Sequence, residues 1–173
     1  MFLKDPKAIA LLKKDHRAVD KLFAQYEATK GAQERVDVVQ QICQALMLHA
    51  HIEEKLFYPA LRGKVKQSLL DEAAVEHDTL KDLMAKIDGH GPDDARFEAQ
   101  VKVLREYVHH HVKEEEREIM PAAESSNLDL DELGERLALL KSRLEQRLEE
   151  MEPASDHHHV AVVQMDGRGL RHH

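Results

Sequence analysis

Two segments of this chain carry one pattern, and that repeat restricts the fold to something built from two equivalent halves. HAHIEEKLFYPA runs from His49 to Ala60, and HVKEEEREIMPA from His111 to Ala122. A shift of 62 residues lays His49 on His111, Glu53 on Glu115, Glu54 on Glu116 and Pro59 on Pro121. An acid–His pair precedes each copy, with His16 standing 33 residues before His49 and His77 standing 34 before His111. Each half therefore reads His, then His-x-x-x-Glu. Residues four apart share a helix face, so His49 and Glu53 point together, as do His111 and Glu115. If those faces turn inward, His16 and His77 on the preceding helices complete two half-sites that can hold two metal ions.

The hydrophobic spacing predicts helices throughout. Asp5-Pro6 reads as a helix start, followed by Ile9, Leu12, Val19, Leu22, Phe23 and Tyr26, with Gly31 as the stop. A second helix begins near Gln33, and Pro59 is expected to bend or end it. A third spans about Gln67 to Asp88. The GHGPDD break follows, and a fourth helix carries Phe97, Val101, Leu104, Val108, Val112 and Ile119 up to Pro121. Short breaks between four helices argue an all-α, antiparallel up-down-up-down four-helix bundle over residues 1–125. Residues 126–152 read as an additional amphipathic helix, capped by Asp129 or Asn127 and ended by Pro153. Its leucines, from Leu130 to Leu148, serve either to pack it on the bundle or to form a homodimer seam. Residues 153–173 read as a His-rich flexible tail, whose His157, His158, His159, His172 and His173 are able to bind metal loosely.

Composition narrows the function classes. Charged residues make up 34% of the chain, aromatics 4%, and the net charge is −8. An acidic surface does not suit wrapping nucleic acid or adhering to anionic lipid. The single Cys43 excludes an internal disulfide and is compatible with a reducing compartment. The charged N-terminus does not read as a secretory signal, and no stretch is long and apolar enough to predict a membrane span. A cytoplasmic protein is expected.

Imidazole with carboxylate suits iron, manganese or zinc. If Glu53 and Glu115 both bridge and each metal takes two His, one bridging oxide or hydroxide gives about five ligands per metal. Octahedral iron then keeps roughly one open position, whereas structural zinc prefers a closed four-ligand shell. Glu54, Glu116, Asp15 and Glu76 beside the ligands read as solvated carboxylates or as partners of the ligating imidazoles. Tyr107, one turn before His111, either lines the pocket or reaches solvent. Tyr58 and Tyr26 read as core. His51, His90, His109 and His110 are not expected to ligate.

On these residues the chain, over about positions 8–124, resembles the hemerythrin-like, or HHE cation-binding, domain family. The resemblance implies a four-helix bundle around a non-haem di-iron centre, oxo- or hydroxo-bridged, ligated by His16, His49, Glu53, His77, His111 and Glu115. It implies dioxygen, peroxide or nitric oxide as the small ligand, in binding, in sensing, in turnover or in iron homeostasis. The oxygen carriers of that family place a second His four residues away on the third helix. Here the positions are Ala73 and Lys81, which favours sensing or reactivity over carriage. The carriers' His-x-x-x-x-Asp on the fourth helix is approached by His110 and Glu115, but the internal repeat selects His111 and Glu115. A third reading is an interaction module in which metal only holds the bundle together.

Overall fold

Alternation between apolar and charged residues at helical period, with breaks around Gly31, Gly63, Gly89–Gly91 and at Ser125–Asp129, yields a helical molecule. The computed structural model describes residues 4–151; the expected tail at 153–173 lies outside them. The elements are α1 (Lys7–Ala28), α2 (Ala32–Ile52), a first π turn (Glu53–Phe57), α3 (Tyr58–Leu61), α4 (Gln67–Asp88), α5 (Ala95–Glu114), a second π turn (Glu115–Ile119), α6 (Met120–Glu124) and α7 (Leu130–Met151). The segment from α2 to α3 is one continuous bundle helix, as is the segment from α5 to α6. The first hairpin is α1 with α2–α3, and the second is α4 with α5–α6.

Neither proline ends its helix. A prolyl ring lacks the N–H for the ordinary bond and collides with the carbonyl four residues back. The chain answers by widening one turn immediately before each proline. The Tyr58 N–H donates to the Glu53 carbonyl and the Met120 N–H to the Glu115 carbonyl, each five residues back. The helices then run on to Leu61 and Glu124.

The apolar side chains form two cores with a polar layer between them. One core gathers Ile9, Leu12, Ile52, Phe57, Leu61 and Met120 with the leucines of α7. The other gathers Val19, Phe23, Ile42, Met84, Phe97 and Leu104. Eight buried polar residues lie between: Asp15, His16, His49, Glu53, Glu76, His77, His111 and Glu115. Unpaired charge at that depth is costly, so this layer has to be matched internally.

α7 packs on the first hairpin. Leu130, Leu133, Leu137 and Leu144 are buried in the first core, so the leucine stripe is used within the chain. Asp129 caps the helix, its Oδ1 accepting from the N–H groups of Asp131 and Glu132. α7 runs alongside α1 in the same direction, with Lys7 at Glu135 and Asp15 at Lys141. The approach is close: a Cβ on Gly134 would stand 2.5 Å from the backbone nitrogen of Ala8. Among the described residues no helix is long and apolar enough to cross a membrane.

Candidate metal centre

The period that makes the helices also brings the repeated His and Glu residues together. His49 and Glu53 lie one turn apart, with Nε2 3.1 Å from Oε1. α1 supplies His16, whose Nε2 stands 3.1 Å from that of His49 and 3.2 Å from Glu115 Oε2. α4 supplies His77, with its Nε2 3.1 Å from that of His111 and 3.2 Å from Glu53 Oε2. All six are buried, the most exposed being His49 at 6%.

Two ligand clusters result. One is His16, His49, Glu53 and Glu115; the other is Glu53, His77 and His111. Glu53 serves both, one oxygen to each. Glu115 does not mirror it. Its Oε2 faces His16, while its Oε1 accepts a hydrogen bond from the Tyr58 hydroxyl at 3.1 Å. The symmetric pair of bridging carboxylates expected from the repeat is thus geometrically unequal here.

Four further carboxylates face the outer nitrogens of the imidazoles. His16 Nδ1–H donates to Glu116 at 2.8 Å, His77 to Glu54 at 3.0 Å and His111 to Glu76 at 2.6 Å. Asp15 stands 3.5 Å from His49 Nδ1, longer than a normal hydrogen bond, and neither facing atom has another partner. The partnership is crossed. Glu54 of the first hairpin holds His77 of the second, and Glu116 of the second holds His16 of the first. Cations brace three of the acids: Arg17 at Glu116, Lys81 at Glu54 and Lys141 at Asp15. Of the two readings for these acids, the one in which they orient imidazoles is what the geometry places.

A proton donated from Nδ1 leaves Nε2 as a bare lone pair. In the second hairpin His77 and His111 press two such lone pairs to 3.1 Å beside Glu53, and in the first His16 presses one to 3.1 Å from the Nε2 of His49. Glu53 Oε1 and Glu115 Oε2 are buried without hydrogen-bond partners. Acceptors crowded on acceptors need a cation. At metal–ligand distances of about 2.0–2.2 Å, neighbouring ligand atoms lie about 2.8–3.6 Å apart for right-angle to tetrahedral geometry. The observed 3.1–3.2 Å separations fall inside that range. The donor set fits a metal of the iron, manganese or zinc kind.

Electrostatics agree. Burial alone would raise the Glu53 carboxyl, but His49 and His77 outweigh it and hold it well below the usual range. Burial alone would lower His49, yet Glu53 above all, with Asp15, pushes it up to about 10. His77 is likewise raised against burial, by Glu53 and Glu54, to about 9. Burial, then the Glu115 and Glu53 charges, pushes the Tyr58 phenol well above its ordinary value. In the metal-free protein protons do the work of the cation, and metal binding has to release them.

Three cavities matter by their linings. One of about 20 Å³ lies against the four imidazoles and Val19, Leu46, Leu80, Val108 and Val112, with room for a molecule of water or diatomic size. A second, of about 30 Å³, reaches His111 and Glu115 from a side walled by Glu72, Glu76, Glu114 and Glu118. The largest, about 300 Å³, lies elsewhere, over Cys43, Met84, Ile87 and Phe97. Burial pushes the Cys43 thiol up to about 12, which marks it as packing.

Other expectations resolve individually. Tyr107 is 38% exposed and reaches solvent. His110, with an exposed side chain, faces Glu76 and Glu114 at the surface, while His111 of the repeat register enters the centre. Glu76, His110 and Glu114 bring three ligand-type atoms together there, but Glu76 is committed to His111. Ala73 is buried core and Lys81 pairs with Glu54. Tyr26 is core, under the Arg35 guanidinium at 4.4 Å. Tyr58 is buried, as expected of a core residue, but its hydroxyl belongs to the centre. Five residues on an α-helix turn about 500°, which leaves Tyr58 about 140° from Glu53. The π turn aligns residues five apart and swings Tyr58 over Glu53. Pro59, whose ring an unmodified helix cannot hold, was the sequence signal available.

Comparison with known proteins agrees with this architecture. Residues 7–123 match the hemerythrin HHE cation binding domain. A DNA nickase of a Nostoc species is 26% identical over 140 residues, which is 80% of this chain and 40% of the nickase. The chain thus spans well under half of that relative's length. An uncharacterized protein of Mycobacterium tuberculosis is 28% identical over 143 residues, 80% of this chain and 86% of that protein. The crystal structure of a hemerythrin HHE cation binding domain-containing protein from Mycobacterium kansasii shares the fold. Its TM-score is 0.70 at 23% identity, over 84% of this chain and 93% of that one. With the repeat, the bundle and the match over residues 7–123 in agreement, this chain belongs to the hemerythrin HHE cation-binding domain family.

Proposed function

We propose that this chain is a non-haem di-iron protein of the cytoplasm that binds or senses dioxygen, or a related small oxidant such as peroxide or nitric oxide. The observation that carries it is the crowding of four imidazole nitrogens and two carboxylates around two points inside the bundle. His16, His49, Glu53 and Glu115 would hold one ion; Glu53, His77 and His111 would hold the other. Bound iron would supply exchangeable electrons and open coordination positions. The chain's own residues do the rest. Glu116, Glu54 and Glu76 keep the outer imidazole protons, so each Nε2 faces inward. The small cavity against the imidazoles limits the ligand to a few atoms. Its aliphatic walls disfavour charged solutes. The acid-walled cavity on the side of His111 offers cations an approach.

Nicking activity is named for the Nostoc relative, most of whose length has no counterpart here. The charge of −8 gives this chain no electrostatic attraction for nucleic acid.

The test is metal-free full-length protein titrated anaerobically with ferrous iron, then cycled between air and argon under a visible spectrometer. Two irons per chain and an oxygen-induced band that disappears under argon support reversible binding. Two irons that oxidise once and do not revert support sensing or turnover of an oxidant. Equal iron uptake by the His49→Ala, His111→Ala double variant would overturn the metal centre.

A further inference from the structure

The two ligand clusters are unequal in a way the repeat does not explain. One has four protein ligands, the other three. Beside the poorer cluster stands Tyr58. Its oxygen is 3.1 Å from Glu115 Oε1, 3.3 Å from Glu53 Oε2 and 3.4 Å from His77 Nε2. Once His77 is neutral, as metal binding requires, and its Nδ1 proton is given to Glu54, all three neighbours are acceptors. A phenol has one proton, so it satisfies one of these contacts and sets lone pair against lone pair in the other two. Buried contacts of that kind persist where a cation sits between them. The separations run slightly longer than the 3.1–3.2 Å among His16, His49, His77, His111 and Glu53, and fit atoms sharing a metal shell at about 2.0–2.2 Å from its centre.

We propose that Tyr58 is a seventh ligand of the centre, its phenolate oxygen completing the shell of the ion held by Glu53, His77 and His111. The proposal rests on the di-metal reading above and extends it. Tyr58 takes on the second ion the place that Glu115 takes on the first. Glu115 is then tied to both, by Oε2 at the first ion and by Oε1 against the Tyr58 oxygen. On coordination the phenolic O–H bond breaks, an O–metal bond forms, and the proton leaves to solvent; no electrons change hands. The position in the second copy corresponding to Tyr58 is Met120, placed the same way after its π turn. Met120 is 1% exposed and sits in the apolar core. The substitution makes one half of a duplicated site chemically different from the other.

The test uses full-length protein loaded with ferrous iron and oxidised in air. Resonance Raman excitation in the visible is expected to show ring modes of one iron-bound tyrosinate per chain, with the matching phenolate-to-ferric absorption band. Tyr58→Phe should lose both and release one fewer proton per chain on loading, while Tyr107→Phe keeps them. In Tyr58→Phe the second iron should bind about 10-fold or more weakly, with the first little changed. The wild-type spectrum decides the matter even if a variant folds poorly. Two irons per wild-type chain without tyrosinate modes would overturn the proposal, leaving Tyr58 a hydrogen-bond donor to Glu115 and the di-metal centre intact. Failure of the wild-type chain to bind iron would overturn both.

Discussion

The two hairpins present one ligand pattern in different surroundings. In the first, α7 lies along α1 and puts Lys141 2.5 Å from Asp15, the acid behind His49. In the second, the corresponding acid, Glu76, sits behind His111 and meets the exposed His110 at 3.6 Å. Beside it an acid-walled cavity reaches the centre. One half is roofed and braced; the other is open to cations. Inside, the π turn of the first half delivers a tyrosine and that of the second a methionine. Duplication of the His and Glu residues with divergence of their neighbours would give the two proposed metal positions different chemistry without altering the imidazole pairs.

The largest test of that difference removes a carboxylate. Glu53→Ala takes a ligand from both clusters, and both ions should weaken by more than the roughly 10–100-fold that loss of an outer partner costs. Glu115→Ala should weaken the ion on His16 and His49 more than the other, which it reaches only through Tyr58. Metal titration followed by elemental analysis reads the result, and equal loss of both ions in Glu115→Ala breaks the asymmetry.

Removing the roof comes next. Leu137, on the inner face of α7, is wholly buried, and Leu137→Ala should cost about 2–5 kcal/mol in denaturant unfolding. Gly134→Ala, with its Cβ forced onto the backbone of α1, should cost about 1–3 kcal/mol. If neither change lowers stability, α7 is an appendage rather than part of the core.

The orienting acids sharpen the comparison. Glu76→Gln takes the charge out of a 2.6 Å hydrogen bond and should weaken its ion about 10–100-fold. Asp15→Asn, at 3.5 Å from its imidazole, should sit at or below the lower end of that range. An Asp15→Asn effect larger than that of Glu76→Gln would reverse the ranking of the two halves.

Acid should unfold the metal-free protein through the same groups. Glu54 is held down to about 2 from an ordinary 4.5, burial being outweighed by His77 and Lys81. Asp15, Glu76 and Glu116 are lowered too. A lowered carboxyl contributes stability above its unfolded value and loses it as pH falls through its folded value. Circular dichroism should therefore show stability declining from about pH 4.5 towards pH 2, and a flat profile there would show that these acids are not paired as described.

The smallest effect belongs to Lys141→Met. It leaves Asp15 with a carboxylate oxygen unanswered on a partly exposed edge, which should cost about 1 kcal/mol. Its thermal shift should exceed that of Lys81→Met only if α7 stays docked.

Much of the site was legible because a helix has a fixed period. His49 with Glu53, and His111 with Glu115, share faces by spacing alone, and the repeat chose His111 over its neighbour His110. The helix ends were legible where chemistry is local, as at Asp129. What escaped was which imidazole each outer acid faces, because those partners are distant in sequence. Asp15 and Glu76 act on imidazoles of the adjacent helix of their own hairpin; Glu54 and Glu116 act across to the other hairpin. No spacing rule relates such pairs.

The sequence by itself determined that this chain is helical, duplicated, and equipped with two His, His-x-x-x-Glu sets, because period and composition are properties of a single strand of residues. Only the tertiary structure decided that the prolines widen the helices instead of ending them. It also decided that Tyr58 enters the centre, that Glu53 and Glu115 are unequal, and that α7 closes one side. Each depends on which atoms lie within a few ångströms after packing, and packing is a property of the whole chain.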